Sequence, residues 1–335
     1  MNWQERLEDT QKQLPQAKTW LERLQLHLHI GECLHELDQF DAALTAFAQA
    51  EALARMYQEP RLISEAISGK VRVAGGKSQF GAVLKAARES LVFAKQANDP
   101  STLAKALYWL GNTEFYLGNI STARQYLEDS LALVKTVNDP LRVAATLTLL
   151  GRLEGQAGRQ KRRIELLQAA LEINKAHNYE KGIALCLTGL SWSTLLDGQY
   201  AESESYSLQS LEIFRRQGSQ WTIANSLLNL AHAQSAQKKF DTAKTHLLEV
   251  LELAQKVNSV NLLLEFLVAA ARTEPNKTLA RFWVRVAVMH PNSTSELRNF
   301  AALDIERLEV VLKPVEAEAL YKLLPQVRQR LAGRA

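Results

Sequence analysis

Apolar residues recur every three to four positions from Trp20 onward, the spacing of one face of a helix. Leu21, Leu24, Leu28 and Cys33 mark a first helix from Trp20 towards Leu37. After the polar turn at Asp38-Gln39, the residues Phe40, Ala43, Leu44, Phe47, Ala50 and Leu53 mark a second, over 40–57. The pair then repeats in a register of forty residues. Phe40, Phe80, Ile120, Tyr200 and Phe240 share one column, and Leu91, Leu131, Leu171, Leu211 and Leu251 another. A fixed period near forty with two helical patterns per unit predicts a solenoid of helical hairpins.

Three parts follow: a capping helix within 1–19, six hairpins over 20–259, and a fading repeat with capping helices over 260–335. The breakers keep the same register. Pro60, Pro100 and Pro140 open first helices, where a missing N–H costs nothing. Asp99 and Asp139 precede two of them as caps. Gly118, Gly158 and Gly198 fall at the turns between paired helices. Gly31, Gly111 and Gly151 share a column that continues as Ser191 and Ala231, which predicts close helix approach. Val71 breaks that column, and Gly75-Gly76 follows it, so a bend or weakened last turn is expected there. Beyond 260 the pattern predicts helices over 260–271, 277–289, 293–312 and 314–332.

Chemistry is sparse. The net charge of +4, from 40 basic and 36 acidic residues, is too slight and dispersed for a nucleic-acid surface. Only Arg159 with Lys161-Arg162-Arg163 is dense, while Arg328, Arg330 and Arg334 lie at the far end. Cys33 and Cys186 sit far apart inside helical patterns, as buried reduced thiols would in a cytoplasmic protein. No apolar stretch of membrane length and no leader is read, and no cofactor or metal is expected. Gly75-Gly76-Lys77-Ser78 lacks the strand and spacing of a phosphate loop. His27 and His29 stand two apart and so leave a helix on different faces. Glu202 and Glu204 diverge likewise, and Ser203, Ser205 and Ser207 have no nearby histidine to activate them. Catalysis is not expected.

Leu110-Gly111 with Tyr116, Ile120, Ala123 and Leu127 resembles the tetratricopeptide-repeat signature, which returns at Leu150-Gly151 with Ile164 and at Phe240 with Ala243. The resemblance covers about 20–259. It implies an all-α fold, a right-handed superhelical solenoid of helical hairpins. The forty-residue form is similar to repeats in large bacterial signalling proteins, where they follow an ATPase, a kinase or a transcription-activator domain.

Family geometry places the first helix of each pair on the concave side. The candidate groove residues are Arg72, Lys105, Tyr108, Asn112, Arg152, Trp192 and His232. The residue after each small-residue column position turns about 100° towards the opening. A polar mixture such as Arg72, Asn112, Arg152, Trp192 and His232 suits a groove better than an interior. Each also has a structural reading: Trp192 and His232 as helix packing, Tyr108 as core, Arg152 as a solvated cation, Asn112 as a bond between hairpins. The leading expectation is a non-catalytic scaffold for a protein or peptide. The alternative is a regulatory sensor for a small signal or nucleic acid within a larger signalling ATPase, and an enzyme ranks last. Terminal helices offer a surface for self-association.

Overall fold

The computed structural model describes residues 3–76, 80–293 and 295–333, without the side chains of 75, 76, 80–82, 295 and 296. The Lys77-Ser78 half of the Gly-rich stretch lies outside the described residues. The helix before it extends as far as Gly76. Among the described residues every regular element is helical. They divide into two compact units, residues 1–182 and 183–335.

The first unit opens with α1 (Trp3–Gln13) and a 3-10 turn at Leu14–Gln16. Four hairpins follow: α2 (Trp20–Glu36) with α3 (Phe40–Met56), α4 (Pro60–Gly76) with α5 (Phe80–Ala97), α6 (Pro100–Tyr116) with α7 (Ile120–Thr136), and α8 (Pro140–Gln156) with α9 (Gln160–Ala176). The unit ends inside α10 (Glu180–Leu196). The second unit continues with α11 (Tyr200–Gln217), α12 (Gln220–Ala236), α13 (Phe240–Lys256), α14 (Val260–Thr273) and α15 (Lys277–Met289). Two short helices, α16 (Ser295–Phe300) and α17 (Ala302–Arg307), and then α18 (Glu318–Leu331) complete it.

The periodic breakers explain these bounds. Asn98, Asn138, Asn178 and Asn258 adopt left-handed φ of 50–52° between hairpins, a conformation asparagine tolerates better than most residues. Gly118, Gly158 and Gly198 take the same role within hairpins. Asp99 accepts from the Thr102 amide at 2.9 Å, and Asp139 from the Arg142 amide at 3.0 Å. Thr19 and Glu22 cap α2 reciprocally, joining two donors that would otherwise be unpaired.

The small-residue column is where paired helices close on each other. A Cβ at Gly111 would lie 2.8 Å from Leu127 Cγ, and one at Gly31 would lie 2.8 Å from the Phe47 ring. Each of those partners stands sixteen residues later. Sixteen after Val71 stands Ala87, and the two are buried in one cluster. The large residue has moved from the second helix to the first, so the volume is kept and the interface survives. Ser191 changes the chemistry instead: its hydroxyl meets those of Ser203 at 3.1 Å and Ser207 at 2.6 Å.

The C-terminal expectation needs correction. Residues 293–312 do not form one helix. The chain turns at Ala301, restarts as α17, and leaves helix at Glu309 with φ 52°. The last helix begins at Glu318 rather than 314. Leu320, Leu323, Leu324 and Val327 of α18 are buried in a core that includes Trp283 of α15 and Leu267 of α14.

Candidate functional site

Within the first unit α2 touches α4, α4 touches α6, and α6 touches α8. Second helices such as α7 and α9 approach each other less. The first helices therefore line the inner side of this unit, and residues forty apart become neighbours. Lys105 Nζ lies 3.1 Å from Glu65 Oε1, and Arg72 Nη2 lies 3.8 Å from Glu32 Oε1.

Five candidate residues share this face. Arg72 is half-buried, with its guanidinium 5.8 Å from the centre of the Phe47 ring. Arg152 donates from Nη1 to the Tyr116 hydroxyl at 3.1 Å and lies 5.0 Å from the Phe115 ring centre. That arrangement fixes a cation on an aromatic plate, where desolvation strengthens the attraction. Burial pushes the Tyr108 phenol up to about 12, with the nearby Arg152 charge pulling the other way. Tyr108 is thus a neutral hydroxyl. Asn112 is half-buried between them in sequence, one turn after Tyr108. The bond between hairpins considered for Asn112 is made elsewhere, by Asn229 Nδ2 to the Thr188 carbonyl at 3.2 Å.

Beside Lys105 the face opens into a recess of about 290 Å³ lined by Arg61, Ser64, Glu65, Asp99 and Arg142 among others. Three cations and two carboxylates meet there, which suits a polar ligand of mixed charge. Sequence columns did not single out Arg61 or Arg142, because both lie at helix starts, away from the small-residue column.

The unit also closes on itself. Lys181, at the start of α10, places Nζ 2.5 Å from both carboxylate oxygens of Glu36 at the end of α2. Burial pushes the Glu36 carboxyl up, but Lys181, His35 and Arg72 together hold it below its ordinary value. Burial, with Arg72 adding repulsion, holds the His35 imidazole down to about 3.

The remaining two candidates lie in the second unit and meet a segment of their own chain. Trp192 of α10 packs against Phe300 with the rings tilted by 43° and 4.2 Å between their centres. His232 of α12 is 2% exposed and lies 4.8 Å from the same ring. Burial and then Arg272 hold its imidazole well below the usual value. Arg272 stands forty residues after His232, so the column runs one hairpin further than the apolar pattern suggests.

No group of three or more His, Cys, Asp or Glu among the described residues is placed to hold a metal. No described helix is long and apolar enough to cross a membrane.

A family model for the tetratricopeptide repeat matches residues 102–176 and 192–256. No curated protein matches significantly. Among solved structures, a Rap protein complexed with Competence and Sporulation Factor aligns at 13% identity over 94% of this chain and 99% of its own, with a TM-score of 0.56. Aspartyl phosphate phosphatase F from Bacillus subtilis aligns at 13% identity over 96% of this chain and 88% of its own, with a TM-score of 0.57. A chain of the APC/C hetero-tetramer Cut9-Hcn1 gives 16% identity over 90% of this chain and 52% of its own, with a TM-score of 0.62. At such identities the likeness is one of fold: an all-α solenoid of tetratricopeptide-like helical hairpins.

Proposed function

We propose that the protein is a non-catalytic scaffold that takes up a protein or peptide segment on the first-helix face of its first unit. The observation that carries this reading is the row of Arg72, Lys105, Tyr108, Asn112 and Arg152 on three adjoining helices, beside a polar recess. Such a row is preformed by packing between hairpins, so a partner orders few protein side chains on binding. Arg and Tyr are favoured anchors at interfaces. Here Arg152 is a cation held against the Phe115 and Tyr116 rings, and Tyr108 is a buried neutral phenol one turn before Asn112.

The mixture of charge in the recess favours a partner segment carrying both signs. A carboxylate would compete with Glu65 for Lys105, and a cation would meet Glu65 or Asp99. The fold supports this use, since a Rap protein of similar architecture is complexed with Competence and Sporulation Factor.

The test is affinity capture from the native host with wild type and with Lys105→Ala/Arg152→Ala, both checked for equal melting temperature. Partners lost from the variant alone support the face as the site. Equal recovery of every partner would sink it.

A further inference from the structure

The second unit carries its own occupant. Its first-helix column consists of Trp192 on α10, His232 on α12 and Arg272 on α14, each forty residues after the last. The Phe300 ring sits 4.2 Å from Trp192 and 4.8 Å from His232, and the Arg272 guanidinium lies 4.3 Å from its centre. One residue past Phe300 the chain turns, and Asp304 comes round to the same arginine. Asp304 accepts from Arg272 Nη2 at 2.7 Å and Nε at 3.1 Å. The carboxylate is 6% exposed and Arg272 is 20% exposed, so the pair is largely out of water. Arg272 Nη1 lies 3.0 Å from His232 Nδ1, which binds the column to itself.

Within a segment that also fills the core, these two groups are held as a groove holds a ligand. One ring enters between aromatic walls, and one carboxylate is taken by a planar fork of donors. Between them Ala301 is buried in the unit's core, as are Leu297 and Leu308 on either side, while Leu303, just before Asp304, is 76% exposed. Phe300 and Asp304, four positions apart, thus present an aromatic group to the column and an acid to Arg272, and Arg307 shares that acid at 3.2 Å.

We propose that the Trp192–His232–Arg272 column is a second recognition surface, held in the resting protein by Phe300 and Asp304, and that it takes a partner segment bearing an aromatic residue followed four positions later by a carboxylate. The partner displaces α16 and α17 and reproduces their two contacts. This surface belongs to the second unit alone and stands independently of the face proposed in the first.

The test uses the full chain and a labelled synthetic peptide with the sequence of residues 295–310. Phe300→Ala/Asp304→Asn vacates the column. The expected result is that this variant binds the peptide about tenfold or more tighter than wild type does, a difference of about 1.4 kcal/mol. Adding Arg272→Ala to the vacated chain should abolish binding, and a peptide with its Phe and Asp replaced by Ala should not bind. A folded vacated chain that ignores the peptide would overturn the proposal. So would wild type binding it equally well. Concentration-dependent dimerisation of the variant without peptide binding would assign the column to a second copy instead. Should the double variant fail to fold, hydrogen exchange on wild type decides. Excess peptide must speed amide exchange at 297–308, and unchanged exchange would refute displacement.

Discussion

Lys181 and Glu36 are 145 residues apart, yet the lysine nitrogen lies 2.5 Å from both carboxylate oxygens. The pair joins the end of α2 to the start of α10 and so fixes the two ends of the first unit's inner face. Glu36 is 12% exposed at its side chain, and Lys181 24%. Lys181→Met should leave Glu36 short of its main partner and cost about 1–3 kcal/mol. Glu36→Leu added to it should restore much of the loss, because no buried charge is then left unpaired. Urea titrations of the three chains measure both effects, and an unchanged midpoint for Lys181→Met would refute the closure.

The close approach at Gly111 gives a second prediction. Gly111→Ala should destabilise by about 1–3 kcal/mol, since its Cβ would press on Leu127. Leu127→Ala alone should cost about 2–5 kcal/mol through its cavity. Together they should cost less than the sum by at least about 0.5 kcal/mol, as the Val71 and Ala87 pairing implies. Strict additivity in chemical denaturation would contradict that relation.

Asn138 is held at φ 52° between the third and fourth hairpins. Asn138→Ala should cost about 0.5–1 kcal/mol, because alanine keeps the strained β-carbon but loses the amide that eases this conformation, and Asn138→Gly should cost less because it also removes the β-carbon. Calorimetric melting of the two variants distinguishes them, and equal losses would point to the lost amide instead.

Acid should weaken the fold through its histidines. The His35 and His232 imidazoles are both depressed from 6.5, His35 to about 3, so both are neutral in the folded chain at pH 7. As pH falls below about 6.5 the unfolded chain takes up protons that the folded chain refuses, and stability drops. For His35 that loss continues down to about pH 3. Melting temperature should therefore decline between pH 7 and 5.5, and His35→Gln/His232→Gln should show a shallower decline. An identical slope would remove these two residues from the account.

Much of this architecture is legible in the sequence because the period acts at every level at once. Pro100, Asp99, Asn98 and Gly118 mark helix ends by local chemistry, and Gly111 and Gly151 mark the close contacts. Even the exception is legible in retrospect, since a large Val71 is matched by a small Ala87 sixteen residues on. What the pattern cannot express is contact outside the register. Arg272 continues the column of His232, but the apolar stripe fades after 260 and hides it. Phe300 reaches Trp192 across more than a hundred residues, and no local signal names its destination. The break at Ala301 contains neither Gly nor Pro. On either side of it Phe300 meets Trp192, His232 and Arg272, and Asp304 meets Arg272 again. Lys181 and Glu36 likewise meet because hairpins accumulate rotation, which spacing alone does not reveal.

The most direct test of the partner face is where a partner touches. A photo-crosslinking amino acid at Asn112, on the inner first helix α6, should capture a discrete partner from host cells. The same group at Gln125, exposed on α7 of the same hairpin, should capture none above background. Capture at Gln125 with none at Asn112 would place binding on the opposite side of the hairpin and contradict the account.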